Sequence, residues 1–383
     1  MSAWPGKFVI GLTGNIATGK SVVRRMLEHA GAFGIDADWL SHRAIEQDAP
    51  GYEPVVRAFG RYLLDADGQI DRSKLGNVVF SDPQALKLLE SIVHPIVRQG
   101  VDYLARHSKH QVLVIEAIKL LESPLRETCD VIWVVTTDEV QQLTRLKKKR
   151  GYTEDEARQR MAMQSSQTEK VAHAHTVIDN SGSIEETWAQ VKSAWSEQFP
   201  HPVDSMTPAR LSGSITRGLA SGLQVTRARP AQAADIAEFV ASSNGATPLK
   251  NSDEVMNAFG EKAFLLLRGE DGLKALLGWK VENLVARVDD IYLRKGLSLT
   301  DHLPFLITEV EEASKELQCE IVLIFPARDL GESRDLWRLL GYEEKSPDDL
   351  TVGAWREAAI ESNREGHVMF FKQLRAERVL RPI

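Results

Sequence analysis

The sequence predicts two domains: an α/β domain with a parallel sheet, helices on both faces and a helical insertion, followed by an α+β domain. The chain has 383 residues, more than one ordinary domain of about 100–200 residues holds. Short apolar runs alternate with helical patterns through the first half, which is typical of a parallel sheet. Residues 198–222 are rich in Pro, Ser and Gly and lack apolar periodicity. They are the predicted linker between domains at 1–197 and 223–383.

Five strands are predicted in the first domain. Their apolar runs cover residues 8–12, 33–35, 112–115, 131–135 and 177–178. Residues 22–30 follow the first strand with apolar side chains at helical spacing, and Gly31 then supplies a stop signal. Residues 39–108 have a mostly helical pattern. We therefore expect a helical insertion between the second and third strands.

The second domain starts at about residue 223 with a short strand and a helix from about residue 231. Further strand-like runs cover residues 263–267, 274–281, 288–293, 320–325 and 367–374. A long helix between two of them carries an apolar face formed by Leu303, Leu306, Ile307, Val310, Ala313 and Leu317. These elements indicate a separate α/β or α+β domain.

The composition excludes several classes of protein. Hydrophobic residues make up 43% of the chain, which is ordinary for a packed core and excludes wholesale disorder. There are 47 basic and 54 acidic residues, and the net charge of −7 argues against a dedicated nucleic-acid binder. No apolar run approaches the roughly 20 residues that cross a bilayer. We expect a soluble, cytoplasmic protein without a membrane partner. Cys129 and Cys319 are too few for a disulfide framework or a structural zinc site.

Residues 14–21, GNIATGKS, match the phosphate-loop pattern GxxxxGK[ST]. The predicted strand before the motif and the helix after it are the context that this motif requires. Backbone amides of such a loop bind phosphates, Lys20 bridges the β- and γ-phosphates of ATP, and the Ser21 hydroxyl ligates Mg²⁺. ATP and Mg²⁺ are therefore the predicted cofactors. The predicted nucleotide-binding residues are Gly14, Asn15, Ala17, Thr18, Gly19, Lys20, Ser21 and Val22.

Two carboxylates follow the second predicted strand. Asp36 and Asp38 would lie at the carboxyl edge of the sheet, beside the phosphate loop, where such folds bind ligands. Asp38 is the candidate base that accepts the proton of an attacking hydroxyl. The alternative is that Asp38 caps the helix that follows. Asp36 is expected to orient the site.

A basic run at residues 145–150 contains five Lys and Arg residues in six. It is either a solvated helix face or a basic lid over the triphosphate, as phosphoryl transfer requires. Arg145 and Lys149 are four residues apart and reach the same side of a helix. They are the predicted lid contacts, with Arg145 as a catalytic residue.

Residues 1–197 resemble the dephospho-CoA kinases. The matching segments are GLTGNIATGKS at 11–21, IDADWLSH at 35–42, DADGQIDRSKLGNVVFSDP at 65–83, His94-Pro95 with Arg98, RGYTEDEARQRMAMQ at 150–164, Glu169-Lys170 and VIDNSGS at 177–183. The resemblance implies a phosphate-loop NTPase fold and transfer of the ATP γ-phosphoryl group to the ribose 3′-hydroxyl of dephospho-CoA. It places the base on Asp38 and substrate contacts on Asp36, His94, Arg98 and Glu116.

The sequence departs from this family after the third strand. The family commonly has Asp-Ile-Pro-Leu-Leu-Phe-Glu, whereas residues 116–122 are EAIKLLE. Glu116 keeps a carboxylate that faces Mg²⁺ or the acceptor, but the missing proline and the added Lys119 change the acceptor pocket. His173 and His175 are two residues apart. A solvated loop is a better interpretation of them than a metal pair.

Residues 223–375 resemble the GNAT acetyltransferases, which bind acyl-CoA. The resemblance rests on residues 288–293, 320–325 and 336–343. Residues 294–300, where active members have a glycine-rich pyrophosphate loop, contain one glycine, and Trp337 replaces the tyrosine that often acts as the acid. We expect a non-catalytic or CoA-sensing domain, with CoA or acetyl-CoA as its candidate ligand.

Three other functions remain open at this point. The chain could be a bifunctional kinase and N-acetyltransferase, a kinase of another small hydroxyl acceptor, or a nucleotide-binding regulatory protein without catalysis. Oligomeric state is not predicted.

Overall fold

The structure, a computed structural model, describes residues 3–150, 152–200, 222–244, 249, 251–375 and 379–380. Most of the predicted linker lies outside these residues, so its bounds stay a prediction. Within them, no helix combines the length and apolarity needed to cross a membrane.

The first half contains a five-stranded parallel sheet in the order β2-β3-β1-β4-β5. Its strands are β1 Phe8–Thr13, β2 Phe33–Asp36, β3 Val112–Glu116, β4 Val131–Thr136 and β5 Thr176–Asp179. The five predicted strands are confirmed, each within a residue or two. The α/β fold class predicted for this half is confirmed as well.

Nine helices accompany this sheet in the described residues. They are α1 Lys20–Ala30, α2 Ala37–Arg43, α3 Tyr52–Phe59, α4 Arg72–Ser81, α5 Pro83–His107, α6 Glu139–Arg150, α7 Glu154–Ala162, α8 Gln167–Ala172 and α9 Ile184–Gln198. Helices α2 to α5 form the predicted insertion between β2 and β3. Two apolar clusters, one on each side of the sheet, contain Val9 and Ile115 on one face and Ile10 and Val114 on the other. Alternate side chains of each strand thus point into different clusters, so both faces of the sheet are buried, as is usual for a parallel sheet.

The second half contains an eight-stranded mixed sheet. Its main path runs β12-β13-β11-β10-β9-β8-β6, and β7 pairs with β10. The strands are β6 Gln224–Arg227, β7 Ser243–Asn244, β8 Ala263–Gly269, β9 Gly272–Glu282, β10 Val285–Arg294, β11 Ile321–Ile324, β12 Glu343–Glu344 and β13 Phe370–Gln373. The pair β10 and β11 is parallel and the other pairs are antiparallel. This mixed sheet confirms the α+β prediction.

Six helices pack around the mixed sheet in the described residues. They are α10 Ala233–Ser242, α11 Ser252–Phe259, α12 Leu299–Glu316, α13 Arg328–Gly331, α14 Arg334–Leu339 and α15 Gly353–Ser362. The predicted apolar face of the long helix α12 is buried against β8, β9 and β10. The helical spacing of the apolar residues therefore predicted the buried face of α12 correctly.

The two halves share a buried boundary. Leu284 and Leu380 of the second half belong to an apolar cluster of the first half. An ion pair between Arg43 and Glu320 crosses the boundary with both side chains buried. The second half therefore contacts α1, α2 and α5 of the first half.

Candidate active site

The phosphate loop lies between β1 and α1, as the motif predicts. Gly14 and Gly19 have φ angles of 152° and 94°. A Cβ atom on Gly14 would lie 2.3 Å from the Val135 carbonyl oxygen, and one on Gly19 would lie 2.0 Å from Asn180 Nδ2. Both positions therefore require glycine for space as well as for backbone conformation. Ala17 also has a positive φ, of 59°.

Two side chains brace the loop from inside. Thr18 Oγ1 donates to the Asn15 carbonyl at 2.9 Å, and Lys20 Nζ donates to the same oxygen at 3.2 Å. The Lys20 ammonium is buried, and no carboxylate lies within 4 Å of it in the described residues. Asn15 Oδ1 is buried without a hydrogen-bond partner in that part of the chain. The loop thus contains a buried cation that has no ion-pair partner in the described residues, which suits a phosphate group.

Arg145 closes one side of the loop. Its guanidinium donates to the carbonyls of Ala17 at 3.3 Å, Thr18 at 3.2 Å and Asn180 at 2.7 Å. Burial lowers the pKa of Arg145. Arg145 therefore contacts the loop from α6, and its role as a lid residue stays a prediction. The side chain of Lys149 lies outside the described part of the chain.

Ser21 and Glu116 meet where α1 and β3 approach each other. Ser21 Oγ donates to Glu116 Oε1 at 3.0 Å, and Arg24 Nε donates to Glu116 Oε2 at 2.7 Å. Arg24 also pairs with Glu28 at 2.6 Å. The carboxylate at the end of β3 is thus fixed by two donors of α1, and it faces the helix that carries the phosphate loop.

These oxygen atoms are a suitable donor set for Mg²⁺, which prefers hydroxyl, carboxylate and water oxygens. Burial and the nearby charge of Glu116 raise the pKa of Asp36 to about 7. Negative charge is therefore crowded at this edge of the sheet, and a divalent cation would relieve it. Ser21 and Glu116 are the groups here that fit such an ion.

The two carboxylates at the junction of β2 and α2 have different surroundings. Asp36 Oδ1 accepts from the Trp39 backbone N–H at 2.8 Å and is the N-cap of α2. Asp38 lies inside the first turn of α2. The alternative that Asp38 is the cap is therefore wrong, because the helix begins at Ala37, two residues earlier than that interpretation needs.

Asp38 faces the segment after β3. Its Oδ2 accepts from the Ile118 N–H at 2.9 Å. Burial raises the pKa of Asp38, whereas the charge of Lys20, the Ile118 N–H and the charge of Lys170 hold part of that rise down. A carboxylate with a raised pKa beside the phosphate-loop lysine is suited to accept a proton.

Lys170 supports the same segment from the other side. Its Nζ donates to the Ile118 carbonyl at 2.6 Å, and Thr13 Oγ1 donates to that oxygen at 3.1 Å. Lys170 is 2% exposed, and burial lowers its pKa. The Ile118 peptide therefore binds Asp38 through its N–H group and is held at its carbonyl by a buried lysine.

The remaining predicted substrate residues lie on α5. His94 is half-buried and Arg98 is exposed. In the described residues, no hydrogen bond or ion pair joins either of them to the phosphate loop or to Asp38. Lys119 belongs to residues 116–122, which differ from the common family sequence. It forms a surface ion pair with Glu90 of α5 at 3.2 Å.

Sequence reasoning missed several supporting residues. Arg24, Lys170 and Asn180 were given no role, although the last two lie in segments that matched the kinase family. Asn180 Nδ2 donates to the Thr18 carbonyl at 2.8 Å. The available signal was a polar residue within the predicted helix, for Arg24, or just after a predicted strand, for Asn180.

His175 has a structural explanation. Its Nδ1 accepts from the Ile132 N–H at 3.0 Å, and its own N–H donates to the Ile132 carbonyl. It thereby extends the pairing of β4 and β5. The described residues contain no group of three or more His, Cys, Asp and Glu side chains that could hold a metal ion.

The second half has its own group of buried charged residues, which lies where β10 and β11 diverge. Lys262 Nζ pairs with Asp289 at 2.8 Å and with Asp290 at 2.6 Å, and all three side chains are buried. Arg364 lies 3.6 Å from Asp289. Trp337 is fully buried, stacks on Phe370 and donates to the Leu330 carbonyl. This cleft therefore contains charges that already neutralise one another.

Comparisons with known proteins match the two halves separately. A dephospho-CoA kinase family model matches residues 8–186. The dephospho-CoA kinase of Geobacter sulfurreducens is 41% identical over 195 residues, which are 50% of this chain and 99% of that protein. A solved protein of Thermus thermophilus is 30% identical over 50% of this chain and 98% of its own, with a TM-score of 0.47. A GNAT-family acetyltransferase of Streptococcus pneumoniae is similar to 39% of this chain over 98% of its own, at 11% identity and a TM-score of 0.31.

Proposed function

This chain belongs to the dephospho-CoA kinase family, and on that premise we propose that its first half transfers the γ-phosphoryl group of ATP to the ribose 3′-hydroxyl of dephospho-CoA. The products are CoA and ADP. The observation that carries the proposal is the placement of Asp38, buried and hydrogen-bonded to the Ile118 N–H, within electrostatic reach of Lys20 in the phosphate loop.

Residues 14–22 would hold the triphosphate. The loop amides and the N-terminus of α1 are donors without charge, and Lys20 supplies the positive charge for the β- and γ-phosphates. Arg145 would turn from the loop carbonyls toward the phosphates when the nucleotide binds. Lys149, four residues further along α6, is proposed as the second lid contact.

Ser21 and Glu116 would hold Mg²⁺ at the end of β3. The bound ion would neutralise charge on the phosphate oxygens. Arg24 keeps Glu116 in place through the 2.7 Å hydrogen bond to Oε2. Glu116 is one methylene longer than the aspartate common in the family. The buried hydrogen bond from Arg24 restrains this longer side chain.

Asp38 would act as the base. The 3′-hydroxyl oxygen attacks the γ-phosphorus as its proton passes to the Asp38 carboxylate, and the bond from the γ-phosphorus to the bridging oxygen breaks to release ADP. The raised pKa of Asp38 makes it a stronger base than an exposed aspartate. Asp36, His94, Arg98 and Glu116 are proposed to contact the acceptor.

We propose that the second half performs no acetyl transfer. Lys262, Asp289 and Asp290 neutralise one another at the diverging strands, and the position of the usual acid is the core residue Trp337. The bifunctional alternative predicts heat of binding and acetyl release when the full chain is titrated with acetyl-CoA and tested with amines. Absence of both would remove that alternative.

An acceptor screen tests the kinase proposal. ADP release from ATP and Mg²⁺ is measured with dephospho-CoA, adenosine, other nucleosides and simple sugars. We expect turnover with dephospho-CoA alone. Turnover with a different acceptor, and none with dephospho-CoA, would refute the proposed substrate while leaving the phosphate-loop assignment intact.

A further inference from the structure

The helix that carries Asp38 is bound at its far end by the second half of the chain. Helix α2 has seven residues, with Asp38 in its first turn and Arg43 at its end. At 1.5 Å per residue, these two residues are about 7–8 Å apart along the helix axis. A displacement of the end of so short a helix is passed on to its first turn.

Glu320 receives the end of this helix. Its two carboxylate oxygens lie 3.3–3.4 Å from the Arg43 guanidinium nitrogens, and the side chains are 4% and 1% exposed for Arg43 and Glu320. Arg43 also lies 3.5 Å from Glu46 of its own half. A buried ion pair of this kind fixes geometry, because separating its members leaves each as a buried charge without compensation.

Glu320 is itself held firmly. The Trp355 indole N–H donates to Oε2 at 2.9 Å, and the Val379 N–H donates to Oε1 at 3.2 Å. Its backbone N–H donates to the Leu284 carbonyl at 2.7 Å, just before β11 begins. Besides Arg43, the carboxylate therefore has two donors from two separate segments, and these restrain it from following the helix.

An aromatic contact reinforces the same attachment. Trp39, the residue after Asp38, packs against the apolar cluster of the second half that contains Trp355. The Arg43 guanidinium lies 5.0 Å from the centre of the Trp39 ring. One face of α2 is thus seated on the second half, while Asp38 binds Ile118 of the first half.

We infer that Glu320 is a positioning residue for the kinase reaction, and that the second half of the chain supports the helix that presents Asp38. The inference rests on the proposed function, because it concerns the geometry of the base. It assigns the second half a role in phosphoryl transfer that requires no acyl-CoA chemistry. Errors of about 1 Å in the position of a catalytic group cost large factors in rate.

The test compares two contacts that cross the same boundary. Glu320→Gln removes the charge facing Arg43 and keeps one acceptor oxygen, which serves either Trp355 or Val379. Glu357→Gln removes the exposed pair with Arg72 of α4, at 3.5 Å, which reaches Arg43 of α2 only indirectly, through Glu46. Both variants are made in the full chain, and kcat and the KM values for ATP and dephospho-CoA are measured on protein normalised by bound ATP analogue.

We expect Glu320→Gln to lower kcat about tenfold with the KM for ATP within twofold of the wild type, because the phosphate loop is untouched. Glu320→Asp should recover part of the loss, and Glu357→Gln should match the wild type. Trp355→Phe removes one donor from Glu320 and should lower kcat two- to threefold, which keeps the test informative if Glu320→Gln fails to fold.

Unchanged kcat in folded Glu320→Gln and Trp355→Phe would overturn the inference and leave Glu320 as a structural residue. An equal fall in Glu357→Gln would also overturn it, since any disturbance of the boundary would then suffice. A wild-type chain without turnover on dephospho-CoA would instead refute the proposed function.

Discussion

Each half buries one lysine near its sheet, Lys20 at the start of α1 and Lys262 just before β8, but the two ammonium groups have opposite surroundings. Lys20 donates to a loop carbonyl and has no carboxylate within ion-pair distance in the described residues. Lys262 pairs with two buried aspartates. A buried cation without a partner is costly unless a ligand supplies the anion, whereas a neutralised one is structural. The first arrangement indicates a binding site and the second a closed cleft.

The largest expected effect concerns the unpaired lysine. Lys20→Ala should lower dephospho-CoA-dependent ADP release by at least about 10²–10³-fold, because one charge-stabilising donor to the transferring phosphoryl group is lost. Stopped assays of ADP formation measure the rate, and thermal melting checks the fold. A variant that keeps more than a tenth of the wild-type rate would contradict the role of Lys20.

Asp38→Asn should lower kcat by about 10²–10⁴-fold while ATP binding is kept, since the amide cannot accept the hydroxyl proton. Asp36→Asn is the matched control, because asparagine is as good an N-cap as aspartate. We expect a smaller loss for the control. Equal losses in single-turnover experiments would show that the site does not distinguish the two carboxylates.

Lys170→Met should lower kcat about tenfold, since the Ile118 carbonyl loses a donor and the peptide that holds Asp38 loosens. The charge of Lys170 lowers the pKa of Asp38. Its removal should therefore raise that pKa, and the acidic limb of the kcat profile should move to higher pH. Lys170→Arg should restore part of both. An unshifted acidic limb in Lys170→Met, with a reduced rate, would assign Lys170 to folding alone.

The smallest effect on phosphoryl transfer is expected in the closed cleft. Asp289→Asn should leave kcat within twofold of the wild type. It should lower the free energy of unfolding by about 1–3 kcal/mol, because the buried Lys262 loses one of two ionic partners. Denaturant titration measures the stability. A large loss of kinase rate in this variant would mean that the cleft and the kinase site are coupled.

Much of the fold was predictable because its signals are local. The five strands of the first sheet are short apolar runs, and the phosphate loop is a contiguous motif whose glycines are required by the contacts of Gly14 and Gly19. The apolar face of α12 follows from helical spacing. These patterns depend on residues within one or two turns of each other.

The site was less predictable where it depends on distant partners. Asp38 can be interpreted as a cap from the sequence, because a two-residue shift of a helix start cannot be fixed from sequence. The support of Ile118 by Lys170 joins residues 52 positions apart. The pairing of Arg43 with Glu320 spans 277 positions and joins the two halves of the chain. No periodicity links such residues, so only the folded chain brings them together.

The most direct test of the proposed reaction is ³¹P NMR of the full chain with ATP, Mg²⁺ and dephospho-CoA. We expect the γ-phosphate signal of ATP to fall as ADP and one new phosphomonoester signal, that of a ribose 3′-phosphate, rise in equal amounts. Loss of ATP to inorganic phosphate without the phosphomonoester, or no loss of ATP, would contradict it.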